Sequence, residues 1–304
     1  MNKSTVIFIV GPTAIGKTNL ALKLARRINA EIISCDSMQI YKGMDILSQS
    51  PELPRTKKIR YHMVRFISPA KEYNVASFSK SAALLIDDII ARKSIPIIAG
   101  GTGLYVKALI DGLFPTPKSD LKFIKKSYDY ASRYGNIRLH KKLKDVDPAS
   151  AKMIHPNNVR RVVRALEIWH STGRTMTELK RSTKGIAGKY RIKIFGLTKP
   201  REKIYSDIND RVDRMFEDGV IREVKKLRAV RLSKTAKAAL GFKELTDYLK
   251  GKIDLPRAKE LMKQNTRRYA KRQCTWFRAD SRIRWFNMDK LSVSEIIKKM
   301  TKGA

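Results

Sequence analysis

The stretch that most narrows the folds open to this chain runs from Thr5 to Ile28. Thr5 to Val10 is β-rich, Gly11 to Lys17 reads as a loop, and Thr18 to Ile28 sets Leu20, Leu24 and Ile28 at helical spacing. The loop, Gly11-Pro12-Thr13-Ala14-Ile15-Gly16-Lys17-Thr18, satisfies GxxxxGK followed by Ser or Thr at each defined position. Strand, glycine loop and helix in that order are what such a loop needs. Its glycines let backbone N–H groups turn inward around phosphate oxygens, the helix N-terminus adds positive potential, Lys17 supplies a point charge, and the Thr18 hydroxyl can hold Mg2+.

A second strand is read at Glu31 to Ser34, a helix at Phe78 to Arg92, and a third strand at Ile95 to Ala99 that stops at Gly100-Gly101. Strands alternating with helices predict an α/β fold with a parallel sheet. From Gly112 the texture changes. Pro115 and Pro117 introduce a basic helical stretch from Leu121 to about Leu179, broken near Asp147-Pro148 and His155-Pro156. It reads as an inserted helical module. Arg191 to Leu197 resembles another strand, and Arg201 to Arg231 reads as one long helix with Ile204, Ile208, Val212, Met215 and Phe216 on one face. Leu255 to Arg278 and Val293 to Met300 read as closing helices around a short strand at Ile283 to Phe286.

The 65 Lys and Arg against 28 Asp and Glu give a formal net charge of +37 over 304 residues. Most of the excess falls after residue 115. Self-repulsion of this size is relieved by a polyanion on the surface, so nucleic acid is the first partner to consider. Clusters at Arg160, Arg161 and Arg164, and at Arg267, Arg268, Lys271 and Arg272, have helical spacing. Cys35 and Cys274 make no CxxC pair, which argues against a disulfide scaffold or a cysteine zinc site. His62, His140, His155 and His170 are scattered without metal-ligand spacing and read as structural. The apolar stretch Val6 to Val10 is too short for a membrane span, so a soluble cytoplasmic protein is expected.

The default ligand of the loop is ATP, but phosphoryl transfer also calls for a carboxylate at a strand end. The Ile95 to Ala99 strand runs instead into Gly100-Gly101-Thr102-Gly103, and Asp87-Asp88 continues a helical pattern. There is no Asn-Lys-x-Asp guanine-reading motif, so a GTPase is disfavoured. A P-loop kinase of a small metabolite and a non-catalytic RNA-binding protein stay open on these residues alone.

Five motifs occur together. They are Gly11 to Thr18, Ser34-Cys35-Asp36-Ser37-Met38-Gln39-Ile40-Tyr41, Gly100-Gly101-Thr102-Gly103-Leu104-Tyr105, His155-Pro156-Asn157 with Arg164-Ala165-Leu166-Glu167, and Tyr269-Ala270-Lys271-Arg272-Gln273 with Thr275-Trp276-Phe277-Arg278. In this order the chain resembles the tRNA dimethylallyltransferase (IPP transferase) family from end to end. The resemblance implies a P-loop NTPase-like core, residues 1–115 and 200–304, with an inserted helical domain, residues 116–199, that grips a tRNA anticodon stem-loop. It also implies transfer of a dimethylallyl group from dimethylallyl diphosphate to N6 of adenosine 37; Mg2+, a monomer and no membrane are further expectations.

Adenine's exocyclic amine is a poor nucleophile, so a base must take its proton as the N–C bond forms. By the family match that base is Asp36. Gly11 to Thr18 would hold the departing diphosphate, with Lys17 catalytic and Thr18 on the metal. Thr102 would donate to the bridging oxygen or diphosphate, and Arg211 would clamp the diphosphate. Asp36, Ser37, Met38, Gln39 and Thr102 would meet the flipped base and a neighbour. Further tRNA contacts are matched at Lys125, Arg160, Arg161, Val162, Val163, Arg164, Lys237, Gly241, Phe242 and Lys243. Trp276 and Phe277 are read as core rather than as base-stacking platforms.

Overall fold

The computed structural model describes residues 3–51, 59–114 and 119–302. In chain order it begins with β1 (Thr5–Val10), α1 (Lys17–Arg27), β2 (Ala30–Ser34), β3 (Tyr61–His62), α2 (Val75–Ala91), β4 (Ile95–Gly100) and α3 (Gly103–Asp111). Five helices follow: α4 (Leu121–Tyr134), α5 (Asn136–Val146), α6 (Pro148–Met153), α7 (Val159–Thr172) and α8 (Met176–Arg181). The chain then returns through β5 (Arg191–Thr198) to α9 (Arg201–Glu217), α10 (Val220–Arg228), α11 (Lys234–Lys237), α12 (Phe242–Leu249), α13 (Leu255–Arg278), β6 (Ile283–Asn287) and α14 (Val293–Thr301).

Two compact units result, Met1–Ile110 with Ile186–Ala304, and Asp111–Gly185. The first boundary falls near the expected seam, whose Pro115 and Pro117 lie outside the described residues. The second falls earlier than residue 199. The stretch 191–198 is β5, hydrogen-bonded between β1 and β6, so it is part of the sheet and not of the insertion.

The six strands run β3-β2-β4-β1-β5-β6, and each pair is parallel. β1 shows why the sheet is buried on both faces. Val6, Phe8 and Val10 enter one apolar cluster with Phe78, Tyr105 and Val212, while Ile7 and Ile9 enter another with Leu20, Leu24, Ile204 and Ile208. A strand apolar on both sides has to be sandwiched by helices. Asn74 starts α2 by accepting the Ser77 N–H at 2.9 Å. The single long helix expected over 201–231 is two helices. Gly219, at φ 92, is the N-cap of α10 and turns the chain where a side chain would be strained.

The chain leaves β1 for α1 and β2 on one side, and reaches β5 on the other side of β1 only after β4. The strand order therefore reverses at β1, and Val10 pairs with both Gly100 and Gly196, which brings the carboxyl ends of β1, β4 and β5 level. Ligands of open parallel sheets bind above such a reversal.

The insertion has its own core, in which Leu139, Leu143, Val162, Val163 and Leu166 are buried. Asp147 explains its first break. Its carboxylate accepts the Ser150 N–H at 3.0 Å to start α6 and the Thr177 hydroxyl at 2.7 Å from α8. Burial works against the Asp147 charge, but these hydrogen bonds hold its carboxyl below the usual range.

Candidate functional site

The phosphate loop is set by close packing at its base. A Cβ on Gly11, at φ 144, would lie 2.8 Å from the Leu197 carbonyl oxygen of β5, so only glycine lets the loop turn there. The Thr13 N–H donates to Gln273 Oε1 at 2.8 Å, and Gln273 Nε2 donates to the Gly101 carbonyl at 2.8 Å. One buried amide on α13 thus ties the phosphate loop to the loop after β4. Lys17 Nζ donates to the Pro12 carbonyl at 2.6 Å.

Thr13 to Thr18, Asp36, Gln39, Gly100 and Arg211 line one cleft of about 610 Å³ above the sheet. Burial, and then the neighbouring Arg211, push the Lys17 ammonium down to about 8, while the Asp36 charge pulls the other way. Burial likewise brings Arg211 to about 10, again against the pull of Asp36. The cleft wall carries Lys17, Lys199, Arg211 and Arg214 against Asp36, Asp207 and Asp218, and Lys17 and Arg211 are the desolvated cations beside the phosphate loop. Such a cleft gains from an anionic ligand that restores the charge balance.

Asp36 closes its own turn, its Oδ1 accepting the Met38 N–H at 2.9 Å, while the residue still lines the cleft. The turn and the loop after β4 hold each other. The Thr102 N–H donates to the Cys35 carbonyl at 3.3 Å, the Ser37 N–H donates to Thr102 Oγ1 at 3.3 Å, and the Tyr269 hydroxyl is also hydrogen-bonded to the Thr102 side chain. Burial and the Asp36 charge push the Cys35 thiol far up, so it stays protonated and unreactive; burial also raises Cys274.

A second cavity of about 250 Å³ adjoins the first, and Thr13, Asp36, Ser48, Gln49 and Arg211 belong to the walls of both. Its remaining walls include Ser37 and Met38, apolar Leu47, Val212, Met215 and Met262, and Tyr269 and Arg272. One side of the shared wall therefore carries the phosphate loop, and the other carries an apolar and aromatic lining.

Of the residues matched to tRNA contacts, Lys125, Arg160, Arg161, Lys237 and Lys243 are exposed. Arg164 is committed to Glu167 at 2.6 Å, and Lys243 is paired with Asp247 at 2.8 Å. Val162 and Val163 correct the reading. They are 0% and 3% exposed in the insertion core, so these side chains hold α7 in place and cannot meet an RNA. Gly241 is buried at the start of α12, and Phe242 packs against the main core. Phe277 is core as expected, but Trp276 remains 37% exposed with its ring against Gly103. The histidines serve structure: His62 holds Glu31 at 2.7 Å, His140 Nε2 is 2.8 Å from the Ile154 carbonyl, His155 Nδ1 accepts the Asn157 N–H, and His170 stacks on Phe123.

The site also takes in Gln49, Tyr269 and Gln273, beyond the residues the sequence marks for a role. Glutamines have no chemistry that marks them in a sequence, and only the fold shows that both ends of these amides are engaged. For Tyr269 a signal existed, since it lies two turns from Trp276 within the basic and aromatic stretch of α13.

Fold and site together define a P-loop protein built to hold a phosphorylated ligand at the switch point of a parallel sheet. The profile of the IPP transferase family matches residues 39–280, and that of isopentenyl transferases matches residues 4–68. The tRNA dimethylallyltransferase of Halothermothrix orenii is 46% identical over 307 residues, covering 99% of this chain and 94% of that protein. Among solved structures, the full-length tRNA isopentenylpyrophosphate transferase of Bacillus halodurans superposes with a TM-score of 0.73 at 39% identity, covering 99% of this chain and 96% of that one. A eukaryotic dimethylallyltransferase acting on tRNA gives 0.77 at 30% identity, covering 97% and 78%. The chain belongs to the IPP transferase family.

Proposed function

We propose that this chain transfers a dimethylallyl group from dimethylallyl diphosphate to N6 of adenosine 37 in the anticodon stem-loop of tRNA, as a monomer in the cytoplasm. The observation that carries the reading is the wall shared by the two cavities, with Asp36 and Arg211 in both. The diphosphate occupies the phosphate-loop side. The adenine, drawn out of the anticodon-loop stack, occupies the side of Ser37, Met38 and Tyr269.

In the reaction the N6 lone pair forms a bond to C1 of the allylic chain, the C1–O bond breaks, and its electron pair leaves with the diphosphate. The N6 proton passes to the Asp36 carboxylate, which later returns it to solvent. Lys17, Arg211 and the backbone N–H groups of the loop stabilise charge growing on the leaving group, a kind of contribution worth about 3–4 kcal/mol per well-placed donor. The Met38 N–H on Asp36 Oδ1 fixes the carboxylate's orientation and leaves Oδ2 for the proton. Thr102, held between Ser37 and Tyr269, aligns the adenosine-binding turn with the loop after β4.

The donors present fit Mg2+. The Thr18 hydroxyl lines the cleft beside the phosphate loop, a hard oxygen donor whose set diphosphate oxygens and water would complete. Bound there, the ion would neutralise charge on the leaving group. Among the described residues no cluster of three or more His, Cys, Asp or Glu offers a different metal site.

Arg160, Arg161 and Lys125 on the insertion, and Lys237 on the core, supply phosphate contacts. No helix among the described residues is long and apolar enough to cross a membrane.

The test offers labelled dimethylallyl diphosphate with unmodified tRNA and, separately, labelled ATP with candidate acceptors. Label should enter tRNA from the prenyl donor and should be lost in Asp36→Ala with tRNA binding retained. Transfer from ATP with none from the prenyl donor would make the protein a kinase. Intact transfer by Asp36→Ala would remove the carboxylate from the mechanism.

A further inference from the structure

The segment between the Asp36 turn and Pro51 carries a glutamine in a conformation that side chains seldom adopt. Gln49 has φ 51, in the left-handed region, and glycine does not occupy the position. Its surroundings hold it there. The Gln49 N–H and its side-chain Nε2 both donate to the Ile46 carbonyl, at 3.1 and 2.9 Å. The Ile46 and Leu47 N–H groups in turn donate to Glu223 of α10, each at 2.8 Å.

What this geometry delivers is a single orientation of one amide. Because a carbonyl only accepts, Nε2 must face Ile46; Oε1 is then left to accept from Arg211 Nε, at 2.9 Å. Arg211 Nη1 donates to Thr13 Oγ1 of the phosphate loop at 2.8 Å. The Gln49 carbonyl accepts from Gln39 Nε2 at 3.0 Å, and Gln39 Oε1 accepts the Ser34 hydroxyl at 2.8 Å. A continuous chain of hydrogen bonds thus runs from the phosphate loop through Arg211 and Gln49 to Gln39, and Gln49 lines both cavities.

We propose that Gln49 is a positioning residue whose side-chain amide aims the Arg211 guanidinium at the diphosphate site, while its backbone carbonyl holds the Gln39 amide on the wall of the same cleft. This rests on the function proposed above. The side chain acts on Arg211 and the backbone carbonyl on Gln39, so deleting the side chain separates the two roles.

The test is a double-mutant cycle on the full chain with Gln49→Ala, Arg211→Ala and the pair, and with Gln49→Gly as a control that removes the same amide at a backbone angle glycine favours. Rates are measured against dimethylallyl diphosphate at saturating tRNA, and affinity for inorganic diphosphate by calorimetry. Gln49→Ala and Gln49→Gly should each lower kcat/KM for the prenyl donor by roughly tenfold to a hundredfold, the scale of loss from a misaimed group, with KM for tRNA changed less than about twofold. In the Arg211→Ala background the Gln49 change should cost less than about twofold, since the group it aims is gone. An equal loss in both backgrounds, or no loss in either Gln49 variant, would overturn the assignment. If the wild-type chain transferred no prenyl group, the proposed function would fall. The calorimetric cycle would still decide Gln49: coupled losses of diphosphate affinity would keep the positioning role, and additive ones would end it.

Discussion

Replacing Gln273 with Met tests how the phosphate loop is held. Met nearly matches the volume of Gln, so little cavity opens, but both hydrogen bonds of the amide vanish. The Thr13 N–H is partly buried, and water can replace the lost acceptor. The Gly101 carbonyl is bonded inside the protein by a residue only 6% exposed, so its loss leaves a buried acceptor unpaired. Taking about 1 kcal/mol for the first and about 1–3 kcal/mol for the second gives a destabilisation of about 2–4 kcal/mol. For a unit of this size that corresponds to a melting temperature lower by roughly 5–10 °C. The same change frees the phosphate loop from the loop after β4, so affinity for inorganic diphosphate should fall by roughly tenfold at a temperature where the variant remains folded. Calorimetric melting and diphosphate titration read the two effects. A variant that melted within about 1 °C of wild type and bound diphosphate unchanged would show that this amide holds nothing that matters.

Arg161→Ala should weaken tRNA binding and reduce the slope of log affinity against log salt by about 1; an unchanged slope would remove this exposed arginine from the interface. Lys17 sits at about 8 in the cleft because burial disfavours its charge. A bound anion favours the charged form, so diphosphate binding should take up a proton and weaken as pH rises above about 8. Calorimetry in buffers of different ionisation heat reads the uptake, and its persistence in Lys17→Met would contradict the assignment. Asp147 has a carboxyl held below its usual value in the folded insertion. Its contribution is therefore present above the unfolded value of 3.8 and lost as pH falls through the lower folded one. Asp147→Asn should cost about 1–3 kcal/mol at neutral pH and flatten the acid limb of the denaturation profile, whereas an unaltered acid limb would refute the role.

Sequence patterning made the core legible wherever one residue type could do only one job. Thr5 to Val10 and Ile95 to Ala99 are apolar on both faces and have no place except inside a parallel sheet. The glycine loop between a strand and a helix admits few other readings. The two-residue β3 was not legible, since Tyr61 and His62 are strand by virtue of pairing with Ile32 and Ile33 and not by any pattern of their own. The insertion's end is not legible although 191–197 reads as a strand, because its membership of the sheet depends on pairing with β1 and β6. Residues matched as a run, such as 160–164, were legible only as a run. Helical periodicity turns Val162 and Val163 inward while Arg160 and Arg161 face solvent. The positioning amides of Gln49 and Gln273 depend on partners 162 and 260 residues away, which no local pattern encodes.

The most direct measurement of the central claim is mass spectrometry of nucleosides from unmodified tRNA incubated with the purified protein, Mg2+ and dimethylallyl diphosphate. Adenosine 37 should gain one dimethylallyl group on N6, one diphosphate should appear per group transferred, and Asp36→Asn should leave the base unmodified though bound. Unmodified adenosine 37 from the wild-type protein, or a prenyl group found at another atom, would contradict the account.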